Sequence, residues 1–267
     1  MASASPRHNV RGGHSNVEVQ ISRPLLSVVI VVFRDRDELR QVIESILPHK
    51  NHDLELIVID GASDDGTIEL LQTFDPWIDY WLSEPDSGIY DAMNKGLKAA
   101  SGEYILHLNA GDRLRTVPWE TLRQHAKVEV DVVCCRVLID GEVEFISRTN
   151  FLSKIDNTWH HQGTFYRRVA HLGYDATYRM AGDFDHNQRL LRAGCVVKED
   201  PCIVADHQSG GASMAYTGHR EIYRSVRTNF GWCCLMLSWL RFMLMDVRNW
   251  IRTRRRRWKS PVDRLER

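Results

Sequence analysis

The sequence predicts an α/β protein: a Rossmann-like, mainly parallel sheet flanked by helices, with a C-terminal amphipathic helical, basic tail. Three features predict it. Continuous apolar and β-branched runs recur at Leu26–Phe33, Leu54–Asp60 and Tyr104–Leu108, and such runs are strands covered on both faces, as in parallel sheets. Between them lie segments with apolar residues at helical spacing. Beyond Phe230 the chain becomes rich in large apolar groups and then in arginine.

Taken in order, residues 1–23 are rich in Ser, Gly, His and Arg and hold no apolar stretch. That composition argues against a secretory signal peptide and for a disordered lead-in. The first strand, Leu26–Phe33, is followed by a helix over Asp35–Leu47, with Leu39, Val42, Ile43, Ile46 and Leu47 on one side and Pro48 as its stop. Leu54–Asp60 completes a βαβ unit, whose crossover is right-handed. Ser63 is placed to cap the next helix, which carries Ile68, Leu70 and Leu71. Trp77–Leu82 reads as a third strand, Ser83–Gly88 as a loop, and Ile89–Ala100 as a helix with Gly102 as a left-handed cap. The strand Tyr104–Asn109 then runs into the elbow Asn109-Ala110-Gly111-Asp112.

The second half changes character. Val130–Ile139 and Glu142–Ser147 flank Asp140-Gly141, a strong two-residue hairpin signal. Asp183-Phe184-Asp185 opens a helix with Leu190 and Leu191 on its apolar side. Val196-Val197 and Ile203-Val204 suggest short strands, and the glycine loop Gly210–Ser213 closes the domain.

With 267 residues, 43% of them hydrophobic and 26% charged, the chain is long enough for a sizeable core and ordinary in composition. Its formal charge is zero but unevenly spread: Arg241 to Arg267 holds ten basic and three acidic residues. None of the six cysteines forms a C-x-x-C, so neither a zinc site nor a disulfide framework is indicated, and free thiols in a reducing compartment are expected.

Three acids, Asp60, Asp86 and Asp112, fall at strand ends on one edge of the expected sheet. Open α/β sheets hold ligands at that edge. Asn, Gly and Asp are also common turn residues. Three carboxylates in one low-dielectric cleft would repel one another, and a metal with its phosphates is the natural compensation.

Four stretches carry a family resemblance: Val58 to Thr67 (VIDGASDDGT), Ser83 to Gly96 (SEPDSGIYDAMNKG), Leu108 to Asp112 (LNAGD) and His161 to Arg168 (HQGTFYRR). With them the chain resembles the family 2 glycosyltransferases of the GT-A fold. It is similar to the small bacterial branch that builds exopolysaccharide or glycolipid repeats, of the colanic-acid type. The resemblance implies a donor-binding half over residues 24–115 and an acceptor-side half over 116–217. It implies a UDP-, GDP- or dTDP-sugar donor at the strand ends, with Asp60 on the nucleoside. Asp86, Asp91, Lys95, Asn109, Ala110, Gly111, His161 and Gln162 are its further candidate contacts. In the family the elbow is usually Asp-x-Asp and holds a divalent cation. Here Asn109 replaces the first acid, so Asp112 is the expected ligand of Mn²⁺ or Mg²⁺, with His207 as a further candidate. The family inverts anomeric configuration in a single displacement, and its base sits at the start of a helix in the second half. Asp183 matches that pattern, with Asp185 as the alternative.

Simpler readings stand beside these. Asp64 and Asp65 suit the first turn of a helix, Asp91 and Lys95 suit a surface ion pair, and Asp183 suits a cap. Arg167 or Arg168 could meet phosphate.

The segment 218–267 is read as membrane-associated. Phe230–Val247 is interrupted by Arg241 and Asp246, so it is short for a spanning helix, which needs about 20 apolar residues. Apolar and aromatic groups beside Arg252, Arg254–Arg257, Trp258 and Lys259 suit a helix lying on an anionic membrane surface. A core helix with a solvated basic tail is the simpler reading. No nucleic-acid-binding fold is indicated. The expectation is thus a glycosyltransferase peripheral to the inner (cytoplasmic) membrane on its cytoplasmic side, acting on a lipid-linked glycan or glycolipid. The rivals are a nucleotidyltransferase, which would carry a Gly-rich loop where Phe33-Arg34-Asp35-Arg36-Asp37 stands, and a non-catalytic sugar- or lipid-binding scaffold.

Overall fold

The computed structural model describes residues 10–12, 23–208 and 219–258, with the backbone alone for Val10, Arg11, Asn249 and 252–258. In chain order the elements are β1 (Val10–Gly12), β2 (Leu26–Val32), α1 (Arg36–Ile46), β3 (Leu54–Asp60), α2 (Thr67–Phe74), β4 (Tyr80–Ser83), α3 (Ile89–Ala99), β5 (Tyr104–Asn109), β6 (Arg113–Leu114), α4 (Trp119–Lys127), β7 (Val132–Ile139), β8 (Val143–Ile146), β9 (Thr164–Arg167), α5 (Gly182–Ala193), β10 (Val197–His207) and α6 (Arg220–Trp258). One sheet runs β1-β4-β3-β2-β5-β9-β7-β10-β6, with β8 paired to β7.

Strands β4, β3, β2 and β5 are parallel. The chain builds outward from β2 to β4, then returns to place β5 on the other side of β2. This reversal of strand order opens a crevice at the carboxyl ends of β2 and β5. All seven residues of β2 are buried. Val28, Ile30 and Val32 pack with α1, α2 and α4, whereas Val29 and Val31 pack with α3, α5 and α6. The two-residue period of a strand thus feeds two cores, and each buried Val, Leu or Ile contributes about 1.5–3 kcal/mol. The second half is mixed: β9 is antiparallel to both β5 and β7, while β7 and β10 are parallel. The expected hairpin forms, with Asp140 and Gly141 both at positive φ.

Several expectations need correction. Ser63 does not cap α2, whose N-cap is Gly66 at φ 89°. Instead Asp65 accepts from the backbone N–H and hydroxyl of Thr67. Gly102 is not a left-handed cap, because α3 ends at Ala100 in extended conformation. A Cβ at Gly102 would lie 2.6 Å from the backbone nitrogen of Ser27, so close packing on β2 explains this glycine. The third strand begins at Tyr80 rather than Trp77, which is held in a turn by Phe74. The two short strands around 196–204 are one long strand, β10, with register shifts between Glu199 and Ala205. Within the lead-in, Val10–Gly12 is ordered as β1 against β4. The remainder of residues 1–22, the Gly210–Ser213 loop and Lys259 lie outside the described residues.

The helix of the tail begins at Arg220, earlier than the apolar run, and changes direction at Gly231 (φ 78°, ψ −171°). Before that kink it belongs to the core: Ser225 and Val226 are fully buried. Beyond it, large apolar side chains face outward. By length and composition, Arg220–Arg248 is the one helix among the described residues able to cross a membrane, with 11% of its apolar window buried.

Candidate active site

The parallel register aligns the strand ends: Val32 is opposite Asp60, Asp60 opposite Ser83, and Val31 opposite Asn109. Phe33, Asp60, Asp86 and Asp112 are thereby gathered around one crevice. Asp60 and Asp112 do not face each other as bare charges. Asp60 is fully buried and accepts from Ser63 (N–H at 3.1 Å, Oγ at 2.5 Å) and from Ser83 Oγ at 2.6 Å. Hydroxyl and amide donors thus compensate the charge of Asp60.

Asp86 packs across Gly61, where a Cβ would lie 2.7 Å from its Oδ2. Burial raises the pKa of Asp86 above the usual carboxylate value, with the Gly88 N–H and Lys95 opposing. Asp91 and Lys95 shape this loop. Asp91 accepts from the N–H and hydroxyl of Ser87, which lowers its pKa. Lys95 donates to Pro85 O at 2.8 Å and pairs with Glu84 at 3.0 Å, while Asp91 lies 4.0 Å away.

The elbow turns on Gly111, at φ 97°. It brings Asp112 back under Asn109, whose backbone N–H reaches Asp112 Oδ2 at 2.7 Å. Asp112 is 1% exposed. Gln162 Nε2 donates to the same oxygen at 3.1 Å, and His207 Nδ1 lies 2.8 Å from Oδ1. His207, at the end of β10, is 95 positions away in sequence and is brought in by the β7–β10 pairing.

These residues fit a hard cation. The 2.8 Å between Asp112 Oδ1 and His207 Nδ1 matches a hydrogen bond and also the edge of an octahedral shell with bonds near 2.1 Å, about 3 Å. Two buried amide oxygens beside them, Asn109 Oδ1 and Gln162 Oε1, have no hydrogen-bond partner among the described residues. Such oxygens suit an ion or its water. Among the described residues no cluster of three or more His, Cys, Asp or Glu forms a cage, so phosphate oxygens and water would complete the shell.

From this corner a chain of contacts leads to α5. Asn109 Nδ2 lies 3.3 Å from His161 Nε2, and His161 Nδ1 lies 3.5 Å from Asp183 Oδ2. Tyr90 Oη donates to Asp183 Oδ1 at 3.2 Å and Asn157 Nδ2 to Oδ2 at 3.3 Å. Burial would raise the pKa of Asp183, but His161, the Phe184 N–H and Tyr90 together hold it below the usual value. The carboxylate is therefore ionised. Asp183 lies in the first turn of α5, two residues past the N-cap, Ala181. Glu221 of α6 fixes that turn by accepting from the N–H groups of Arg179, Met180 and Ala181, each at 2.9 Å.

Asp185 points elsewhere. Its carboxylate accepts from Tyr178, Ser225 and Asn229 at 3.0–3.1 Å and from Arg189 at 2.8 Å. It ties α5 to α6 and has no open side toward Asp183. Arg167 and Arg168 sit at the opposite edge of the sheet, on Glu103 and on the carbonyl of Gly102, away from any phosphate in the crevice. Sequence reasoning passed over Phe33, Tyr90, Asn157 and His160. Phe33 carried a signal, since an aromatic ring at the end of a buried strand has no core to fill, and it is 59% exposed. His160 lies against His161 and His207, and burial lowers its pKa to about 3.

The sequence profile described as Glycosyl transferase family 2 matches residues 27–187. A glycosyltransferase of Mycobacterium tuberculosis whose function is uncharacterized is 41% identical over 217 residues, covering 75% of this chain and 79% of that protein. A PGL/p-HBAD biosynthesis glycosyltransferase of Mycobacterium bovis is 28% identical over 250 residues, covering 86% and 92%. Among solved structures, Staphylococcus aureus TarS matches with a TM-score of 0.59 at 12% identity, over 76% of this chain and 39% of that one. A mannosyltransferase of Pyrobaculum calidifontis in complex with GDP-Man and Mn²⁺ matches with a TM-score of 0.55 at 15% identity, over 78% and 62%. These structural likenesses establish the GT-A fold.

Proposed function

The chain belongs to glycosyl transferase family 2, and from that premise we propose an inverting, metal-dependent glycosyltransferase that moves a hexosyl or deoxyhexosyl group from a nucleotide-sugar to a lipid-linked glycan or glycolipid. The observation that carries the proposal is Asp183, an ionised carboxylate joined through His161 to the Asp112–His207 corner.

In this reading residues 24–115 hold the donor and 116–217 the acceptor. Phe33 offers a face for the base, and the Asp60–Gly61 turn and Asp86 border the nucleoside. Asp112 and His207 would hold Mn²⁺ or Mg²⁺, which when bound neutralises charge on the departing diphosphate. The acceptor hydroxyl attacks the anomeric carbon from the face opposite the diphosphate. The C–O bond to the diphosphate breaks as the new one forms, and Asp183 takes the hydroxyl proton. Tyr90 and Asn157 aim its two oxygens, and such a base contributes about 10²–10⁴-fold. The depressed pKa of Asp183 keeps it charged in every resting molecule near neutrality.

The acceptor class is supported by the glycolipid-biosynthesis role in the name of the M. bovis relative. It is also supported by α6, where Trp232, Trp239 and Trp250 are exposed beyond the kink. Interfacial tryptophans beside basic residues suit a helix lying on the cytoplasmic face of a membrane. The test is release of nucleoside diphosphate from UDP-, GDP- and dTDP-sugars with Mn²⁺, with and without membrane lipid extract. Turnover of one donor, raised by the extract, is expected. No turnover with any donor would overturn the reading.

A further inference from the structure

Beyond the kink at Gly231, α6 carries two apolar stripes. The outer one holds the tryptophans. The inner one holds Leu237, Leu240, Leu244 and Met245, spaced i, i+3, i+7 and i+8 on one helix face. This inner stripe forms one wall of a groove of about 340 Å³, whose other wall is Leu152 and Ile155. That is within the size range of small-molecule sites. The groove is pre-formed: Ser238 Oγ donates to Ile155 O at 2.7 Å, and Arg241 Nε donates to Asp156 Oδ2 at 2.7 Å. The groove side chains remain open, Leu240 at 43% and Leu244 at 56% exposure.

We infer that this groove seats the hydrocarbon chain of the lipid-linked acceptor, an inference that rests on the acceptor reading above and gives it a place. Two observations select this occupant. The groove is tied to the active site through the chain: the strap Ile155-Asp156-Asn157 leads from its wall to the base, where Asn157 Nδ2 donates to Asp183 Oδ2 at 3.3 Å. Two residues of chain span at most about 7 Å, so a chain seated on Ile155 presents its head group beside Asp183. The rim is also basic. Arg248 lines it one heptad beyond Arg241, whose guanidinium is paired with Asp156, and there the phosphate or sugar-phosphate head of a membrane lipid would meet a cation. The outer stripe faces away from this groove.

The full chain, free of vesicles, is titrated with dansyl-labelled undecanoic acid, with farnesyl phosphate and inorganic phosphate as competitors. Saturable emission is expected, displaced by farnesyl phosphate and not by inorganic phosphate. Leu240→Glu and Leu244→Glu should each weaken it by about tenfold or more, the loss of one buried leucine. Trp239→Gln, on the outer stripe, should leave it within about twofold. Thermal melts of all three variants check that they remain folded. Equal probe affinity in wild type and both glutamate variants would overturn the inference. So would an equal loss in Trp239→Gln, which would put the probe on the outer stripe. A wild-type dimer that Leu244→Glu makes monomeric would overturn it in favour of self-association. Nucleoside diphosphate release by the wild type from the donor panel with membrane lipid extract is read separately, so failure of the groove and failure of the glycosyltransferase reading give different results.

Discussion

Nδ1 of His161 lies 3.5 Å from Oδ2 of Asp183, while the other ring nitrogen faces Asn109 Nδ2 at 3.3 Å. A ring protonated at Nδ1 satisfies both contacts, donating to the carboxylate and accepting from the amide. One imidazole therefore links the elbow of β5 to the first turn of α5.

His161→Phe removes the partner that does most to lower the pKa of Asp183, and burial, which raises it, is left less opposed. The acid limb of the pH–rate profile should therefore move to higher pH, alongside a fall in kcat. An acid limb that stays in place would show that His161 does not set the ionisation of Asp183.

Asp112→Asn and His207→Ala should each weaken Mn²⁺ binding in the presence of nucleoside diphosphate. Loss of a ligand or its support costs about 10–100-fold in metal affinity. Titration followed by the electron paramagnetic resonance of free Mn²⁺ reads this directly. Unchanged affinity in both variants would remove the cation from this corner.

Glu221→Ala would leave three backbone N–H groups before α5 without their acceptor. Hydrogen bonds to a charged group are worth about 1.5–3 kcal/mol each, less where water can replace them. We expect a loss of about 2–3 kcal/mol in urea unfolding. A loss below about 0.5 kcal/mol would mean that α6 does not brace the base-bearing turn.

His107, His171 and His186 are packed ring on ring between β5, α5 and the segment before Tyr174. Burial lowers all three, His171 to about 3, with Arg189 adding to His171 and His186. Their folded pKa values lie below the unfolded value of about 6.5, so the unfolded chain binds more protons at acid pH. Their contribution to stability is complete above about pH 6.5 and falls below it, by about 1.4 kcal/mol per pH unit for each ring kept neutral. Chemical denaturation from pH 7 to pH 5 checks this. A pH-independent midpoint across that range would contradict it.

Much of this was legible in the sequence, for identifiable reasons. Strands β2, β3 and β5 are buried on both faces, so their composition marks them regardless of context. The Asp140-Gly141 turn demands positive φ, and few other pairs supply it. The elbow at Asp112 and the acid at Asp183 were also visible. His161, Gln162 and His207 stood as separate candidates; that they would meet Asp183 and Asp112 was not legible, since the Asp112–His207 contact spans 95 positions and depends on β9 entering antiparallel between β5 and β7. Asp185 read as an alternative base because nothing local reveals that Ser225 and Asn229 will satisfy it.

The central claim is that Asp183 takes the acceptor proton, and Asp183→Asn tests it most directly. Nucleoside diphosphate release with the best donor and lipid acceptor is compared with calorimetric binding of the nucleoside diphosphate and Mn²⁺. We predict that turnover falls about 10²–10⁴-fold, while nucleotide affinity stays within about twofold of wild type, because Asp183 meets the acceptor rather than the donor. Full turnover in Asp183→Asn would contradict the account.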